Sequence, residues 1–141
     1  MRATGVRRIY AMSTLSYPQP NDVFSIIRLL VVALVFIVVN KGWQTARGIA
    51  RVFDDERSGD IDWTVFRIAG IPGGCDEEAW RRDREDGEVF EGWIGEKGWT
   101  AGQKRGALAR WLVDAVEDGK VEWVRKMPAV SRLAGSKRRA D

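Results

Sequence analysis

Two places in this chain combine residue types with a setting in which they can do chemistry. The first is Ser13-Thr14, a pair of hydroxyls closing the apolar-alternating run Arg8 to Met12. The second is Ala69-Gly70-Ile71-Pro72-Gly73-Gly74, a turn of small residues closing the run Asp62-Trp63-Thr64-Val65-Phe66-Arg67-Ile68. Both runs have the β-branched and aromatic character of strands. In open parallel sheets, ligands sit beyond the carboxyl ends of the strands. A serine there can hydrogen-bond a cofactor or a substrate carbonyl, and it can equally satisfy the backbone of the next turn. The small-residue loop has the same two readings, a ligand wall or an ordinary tight connection.

Other chemistries are excluded by composition. Histidine is absent, which removes Ser-His-Asp and Cys-His catalysis and the usual imidazole metal ligands. Cys75 is the single cysteine, so there is no internal disulfide, cysteine zinc cluster or CxxC pair, and a reducing, cytoplasmic compartment fits. A thiol just ahead of a helix is a setting in which cysteine becomes nucleophilic, but here no histidine is available to pair with it. The net charge is +3, with acidic and basic residues interspersed, and only Lys137-Arg138-Arg139 forms a short basic run. That pattern describes a solvated tail rather than a nucleic-acid footprint.

The elements that must position these residues alternate between helix and strand. After the first strand, Ser16 to Asp22 is a proline-containing loop. Val23 to Val39 follows as the most apolar stretch, interrupted by Arg28. Its unbroken run, Leu29 to Val39, is shorter than the roughly twenty residues a spanning helix needs, so a buried helix is the leading expectation. Left uncovered, residues 23–39 would instead seek lipid or a partner chain.

Lys41 to Glu56 has helical spacing, with Trp43, Ala46, Ile49, Ala50 and Phe53 on one stripe. Ser58-Gly59-Asp60 then hands over to the central strand. Asp76 can cap a charged helix from Glu77 to Glu85, in which Glu78 and Arg82 stand one turn apart. Glu88 to Gly95 reads as a short strand. Lys104 to Glu117 is the clearest helix, with Leu108, Trp111, Leu112, Ala115 and Val116 on one face and Gly119 beyond its end. Val121 to Val124 is expected as the last strand. The whole is a layered α/β arrangement, with one domain over residues 1–131 and a basic polar tail over 132–141.

The order of these segments resembles the atypical short-chain dehydrogenase/reductases, and among them the NmrA-like NAD(P)-binding proteins. The resemblance rests on the strand ending in Ser13-Thr14, the segment Asp62-Trp63-Thr64-Val65-Phe66-Arg67, the Lys104-Arg105-Gly106-Ala107-Leu108-Ala109 helix and the closing Trp123 to Ser131. It implies a partial Rossmann-like parallel sheet with flanking helices, NAD or NADP as cofactor, and Ser13, Thr14, Ala69, Gly70 and Ile71 bordering the nicotinamide end. Ser13 matches the family's catalytic serine. The first strand resembles the family's fourth, so the N-terminal dinucleotide-binding strands and their G-x-x-G-x-x-G turn have no counterpart, and the chain is expected to be a C-terminal portion. The family's Tyr-x-x-x-Lys pair is also missing, since Tyr10 and Tyr17 are the only tyrosines and Asn21 stands four beyond Tyr17. The resemblance therefore implies an NAD(P)-binding-like protein without full catalytic equipment. The alternatives are a membrane-associated or partner-bound scaffold anchored by residues 23–39, and an NAD(P)H-dependent oxidoreductase.

Overall fold

A computed structural model of the chain describes residues 5–38, 45, 48–53, 61–117 and 122–137, with the backbone alone for 34–38. Four strands form one sheet: β1 (Arg8–Thr14), β2 (Asp62–Ile68), β3 (Val89–Gly92) and β4 (Ala129–Arg132). Their order is β1-β2-β4-β3, with β1, β2 and β4 parallel and β3 antiparallel to β4 at one edge. The helices are α1 (Ile26–Val38), α2 (Glu77–Asp83) and α3 (Arg105–Glu117), and residues 48–53 are also helical. This is the expected mixed α/β sheet with flanking helices, a partial Rossmann-like arrangement with an antiparallel edge strand added.

Apolar residues line both faces of the sheet, which is why its central strand reads as a continuous apolar run rather than an alternating one. On one face Phe66, Ile68 and Val130 pack with Leu108 and Trp111 of α3, and Tyr10 meets Trp111 edge-on at 6.3 Å. On the other face Trp63, Val65 and Met127 pack with Ala50 of the 48–53 helix, joined by Ile9, Ala11 and Phe53. A third cluster joins Leu15 and Ala69, which follow β1 and β2, to Ile94 beyond β3 and Ala129 at the start of β4.

Local chemistry sets the helix starts. Ser25 caps α1 through its Oγ, which accepts from the Arg28 N–H at 3.3 Å. Asp76 caps α2 as expected, accepting from the Ala79 N–H at 2.9 Å, and that hydrogen bond holds its carboxyl below the usual range. The ion pair along α2 joins Glu77 to Arg81, while Arg82 turns to Asp83.

The parallel ladder carries β1 through to Thr14, so Ser13 and Thr14 are the last two residues of the strand, as expected from the sequence. Several other expectations are corrected. The buried helix expected at 23–39 is largely uncovered over its described first turns: Phe24 is 77% and Ile26 65% exposed, with Ile27, Leu29 and Leu30 similarly open. Val116 is exposed as well, because α3 turns it away from the sheet near its end. The last strand is Ala129–Arg132, not 121–124: residues 122–125 form a turn that ends with Arg125 at φ 57°, a left-handed conformation incompatible with an extended run. Arg132 ends β4, and beyond it Leu133 N–H donates to Glu88 O at 2.8 Å and Ala134 N–H to Gly98 O at 2.8 Å. Gly119 and most of the 41–56 segment lie outside the described residues. No helix among the described residues is long and apolar enough to cross a membrane.

Candidate functional site

Strands β1 and β2 run in parallel with Ser13 opposite Arg67 and Thr14 opposite Ile68, so their carboxyl ends leave the sheet side by side. Ser13 is 3% exposed and packed within the sheet. Thr14 is half-buried, with Oγ1 3.3 Å from Ser16 Oγ, and its carbonyl accepts from the Tyr17 N–H at 3.2 Å. The backbone-turn role anticipated for a hydroxyl at a strand end is therefore filled at this point of the chain by Thr14 and Ser16.

Beyond β2 the three small-loop residues part company. Ala69 packs toward Leu15, Ile94 and Ala129, whereas Ile71 packs toward Phe66, Leu108 and Trp111. Gly70 lies between them and forms a parallel bridge with Gly102, and its carbonyl accepts from the Gln103 N–H at 3.0 Å. Pro72 O accepts from the Arg105 N–H at 2.9 Å. The loop is thus tied at two points to the segment that opens α3. A side chain added at Gly70 would meet nothing within 4 Å, so the strand end opens onto free space here.

A buried ion pair not anticipated from the sequence holds this end of the sheet together. Arg67, the last charge before the loop, is fully buried. Its Nη1 and Nη2 donate to Asp22 Oδ2 and Oδ1 at 2.6 and 2.7 Å, Nη1 also donates to Tyr17 O at 3.0 Å, and Nε to Met127 O at 2.7 Å. Asp22 in turn accepts from the Gln19 and Ile94 N–H groups at 2.9 and 3.2 Å. Burial raises the Asp22 pKa, but the Arg67 hydrogen bonds, its charge and the two backbone donors outweigh that and hold the carboxyl below its ordinary value of 3.8. The signal was present in the sequence, because a charge inside an apolar strand requires a partner. Also unforeseen was Gln103, whose amide is buried with neither Oε1 nor Nε2 hydrogen-bonded among the described residues.

Tyr10 OH donates to Ala115 O at 3.1 Å and accepts from Arg8 Nη2, while Tyr17 contributes its carbonyl to Arg67. Cys75 is exposed, just ahead of the Asp76 cap. The arrangement can present a half-buried hydroxyl at Thr14 and open space beside Gly70 to a ligand.

No family model matches this chain, and no curated protein does. Solved structures do. A short-chain dehydrogenase/reductase from Veillonella parvula DSM 2008, determined in complex with NADP, superposes with a TM-score of 0.61 over 96% of this chain, at 15% identity. The fold of this chain is a partial Rossmann-like α/β arrangement, similar to part of that structure. An ethylated form of a short-chain dehydrogenase/reductase from the same organism gives a TM-score of 0.60 over 99% of this chain, at 16% identity. The chain spans just over half the length of these structures, 54% and 58%.

Proposed function

We propose that this chain is an NAD(P)-binding-like protein related to the atypical, NmrA-like short-chain dehydrogenases and without their full catalytic equipment. The observation that carries this proposal is the open space beside Gly70, beyond the second of two parallel strands, in a fold similar to part of a solved structure that holds NADP. Ser13, Thr14, Ala69, Gly70 and Ile71 border the nicotinamide end in this reading, with Ser13 as the residue matching the family's catalytic serine. Ser13 acts from within the strand, so a role for it requires the ligand to reach the end of β1. Oxidoreductase activity is the less favoured version, because the sequence holds no Tyr-x-x-x-Lys pair.

The test is a titration of the purified chain with NADPH, following quenching of its seven tryptophans and energy transfer to the nicotinamide. Saturable binding is expected, weaker than micromolar because the turn that would hold the pyrophosphate has no counterpart here. Gly70→Val grows from a Cβ that meets nothing within 4 Å, so it is expected to abolish binding while leaving the circular dichroism spectrum unchanged. No saturation with folded wild-type protein would sink the proposal.

A second reading is favoured by one separate observation, the cluster of exposed Val23, Phe24, Ile26, Ile27, Leu29 and Leu30. Such a patch seeks a partner chain or a membrane surface. In that reading the segment anchors a scaffold and the protein ignores nucleotide.

A further inference from the structure

We propose that the Arg67–Asp22 pair is a positioning element, which fixes the loop leaving β1 against the end of β2 and so sets the spacing between the two strand ends that border the site. The proposal rests on the dinucleotide reading above for its function, though not for its geometry.

Four separate stretches of chain meet at this one pair. Arg67 belongs to β2, Asp22 and Tyr17 to the loop beyond β1, Ile94 to the turn after β3, and Met127 to the approach to β4. Asp22 is as enclosed as its partner, with its side chain 3% exposed. Arg28 at the start of α1 joins from the other side, donating through Nε to Leu15 O at 3.1 Å and standing 3.7 Å from Asp22 Oδ2. The loop is therefore held from both of its ends.

A pair this buried is a poor device for stability alone, because desolvation consumes much of the Coulombic gain and apolar replacements are often as stable. What a planar fork gripping two carboxylate oxygens provides is a fixed distance and direction, which apolar contacts do not. The place where that matters lies alongside. Ser13 is the register partner of Arg67, and Gly70 is three residues further along the same chain.

The experiment is hydrogen exchange by mass spectrometry on the full chain, comparing wild type with Asp22→Asn and Arg67→Lys, followed by NADPH titration of each. Asp22→Asn keeps size and one acceptor, and Arg67→Lys keeps the charge and loses the fork. Amides in residues 15–22 are expected to exchange at least tenfold faster in both variants, with β2 and α3 retaining wild-type protection. The NADPH dissociation constant is expected to rise at least tenfold alongside. Unchanged exchange in the loop would overturn the proposal. So would loss of protection throughout the chain, including failure to fold, since the pair would then be a general stabiliser. Loosened loops with unchanged NADPH affinity would overturn the positioning role while leaving the dinucleotide reading intact. Absence of NADPH binding by wild type would overturn both.

Discussion

Replacing Gly106 by alanine sets two effects of opposite sign against each other, and the structure decides between them. Gly106 is the second residue of α3 and is buried where that helix crosses the end of α2. Alanine favours a helix interior over glycine by about 1 kcal/mol, and by less than that in the first turn. Against this, a Cβ on Gly106 would lie 2.8 Å from the backbone nitrogen of Arg84, 3.1 Å from Asp83 C and 3.2 Å from Asp83 Cβ. Optimal heavy-atom contacts are roughly 3.5–4.0 Å. Two of these obstacles are main-chain atoms, so no rotamer change relieves them, and the helices must move apart. Overpacking of this kind costs about 1–3 kcal/mol, which leaves a net loss of about 1–2 kcal/mol. With a urea dependence of about 1–3 kcal/mol per molar, the unfolding midpoint should fall by roughly 0.5–1 M. Tryptophan fluorescence in a urea series measures it, with Gly70→Ala as control, because a Cβ there meets nothing. The control should hold its midpoint. A Gly106→Ala midpoint at or above wild type would refute the close crossing of α2 and α3 and restore helix propensity as the governing term.

Three further outcomes follow from the same geometry. Asp22 has a folded pKa below its ordinary 3.8, so its pair contributes stability in full above that value and loses it as the pH falls through the folded pKa. Acid unfolding below pH 3.8 should therefore be less steep in Asp22→Asn than in wild type, in a difference measured by circular dichroism from pH 5 to 2. Gln103→Met keeps the shape of a buried side chain that makes no hydrogen bond among the described residues. It should leave stability within about 0.5 kcal/mol of wild type or raise it, whereas a loss above about 1.5 kcal/mol in urea unfolding would mean the amide is bonded. Ile27→Lys with Leu30→Lys changes only exposed side chains, so the unfolding midpoint should hold. Self-association by light scattering should decline, and association that persists unchanged would place the sticky surface elsewhere.

What the sequence disclosed and what it withheld divide along the range of the interactions involved. The run from Asp62 to Ile68 and the helix from Arg105 to Glu117 announce themselves because their residue types suit one local conformation. The Asp76 cap is legible for the same reason, being settled within three residues. Burial of Arg67 against Asp22 joins residues forty-five positions apart, and sequence showed only a charge in a strand and an acid in a loop. The last strand was misplaced because Val121 to Val124 is as apolar as Ala129 to Ser131. What selects the later segment is its seat between β2 and β3, with the left-handed turn at Arg125 releasing the chain into it. The exposure of α1 was unreadable in another way: a segment apolar on all sides carries no mark of which side is covered.

The same distinction bears on how much activity the site can support. Dinucleotide affinity in this fold draws heavily on a glycine-rich turn and a helix N-terminus that hold the pyrophosphate. No such turn stands in this chain, so in the proposed reading whatever Gly70 and Thr14 contribute acts on the nicotinamide end alone. An isolated strand-end contact of that kind gains little from a few hydrogen bonds, because fixing a flexible ligand costs comparable free energy. The spacing of the two loops then decides the outcome, since a contact that must be found by rearrangement is weaker than one already in place. That is the physical reason why Arg67 and Asp22, which touch no open surface, should govern NADPH affinity as strongly as the residues that border the ligand.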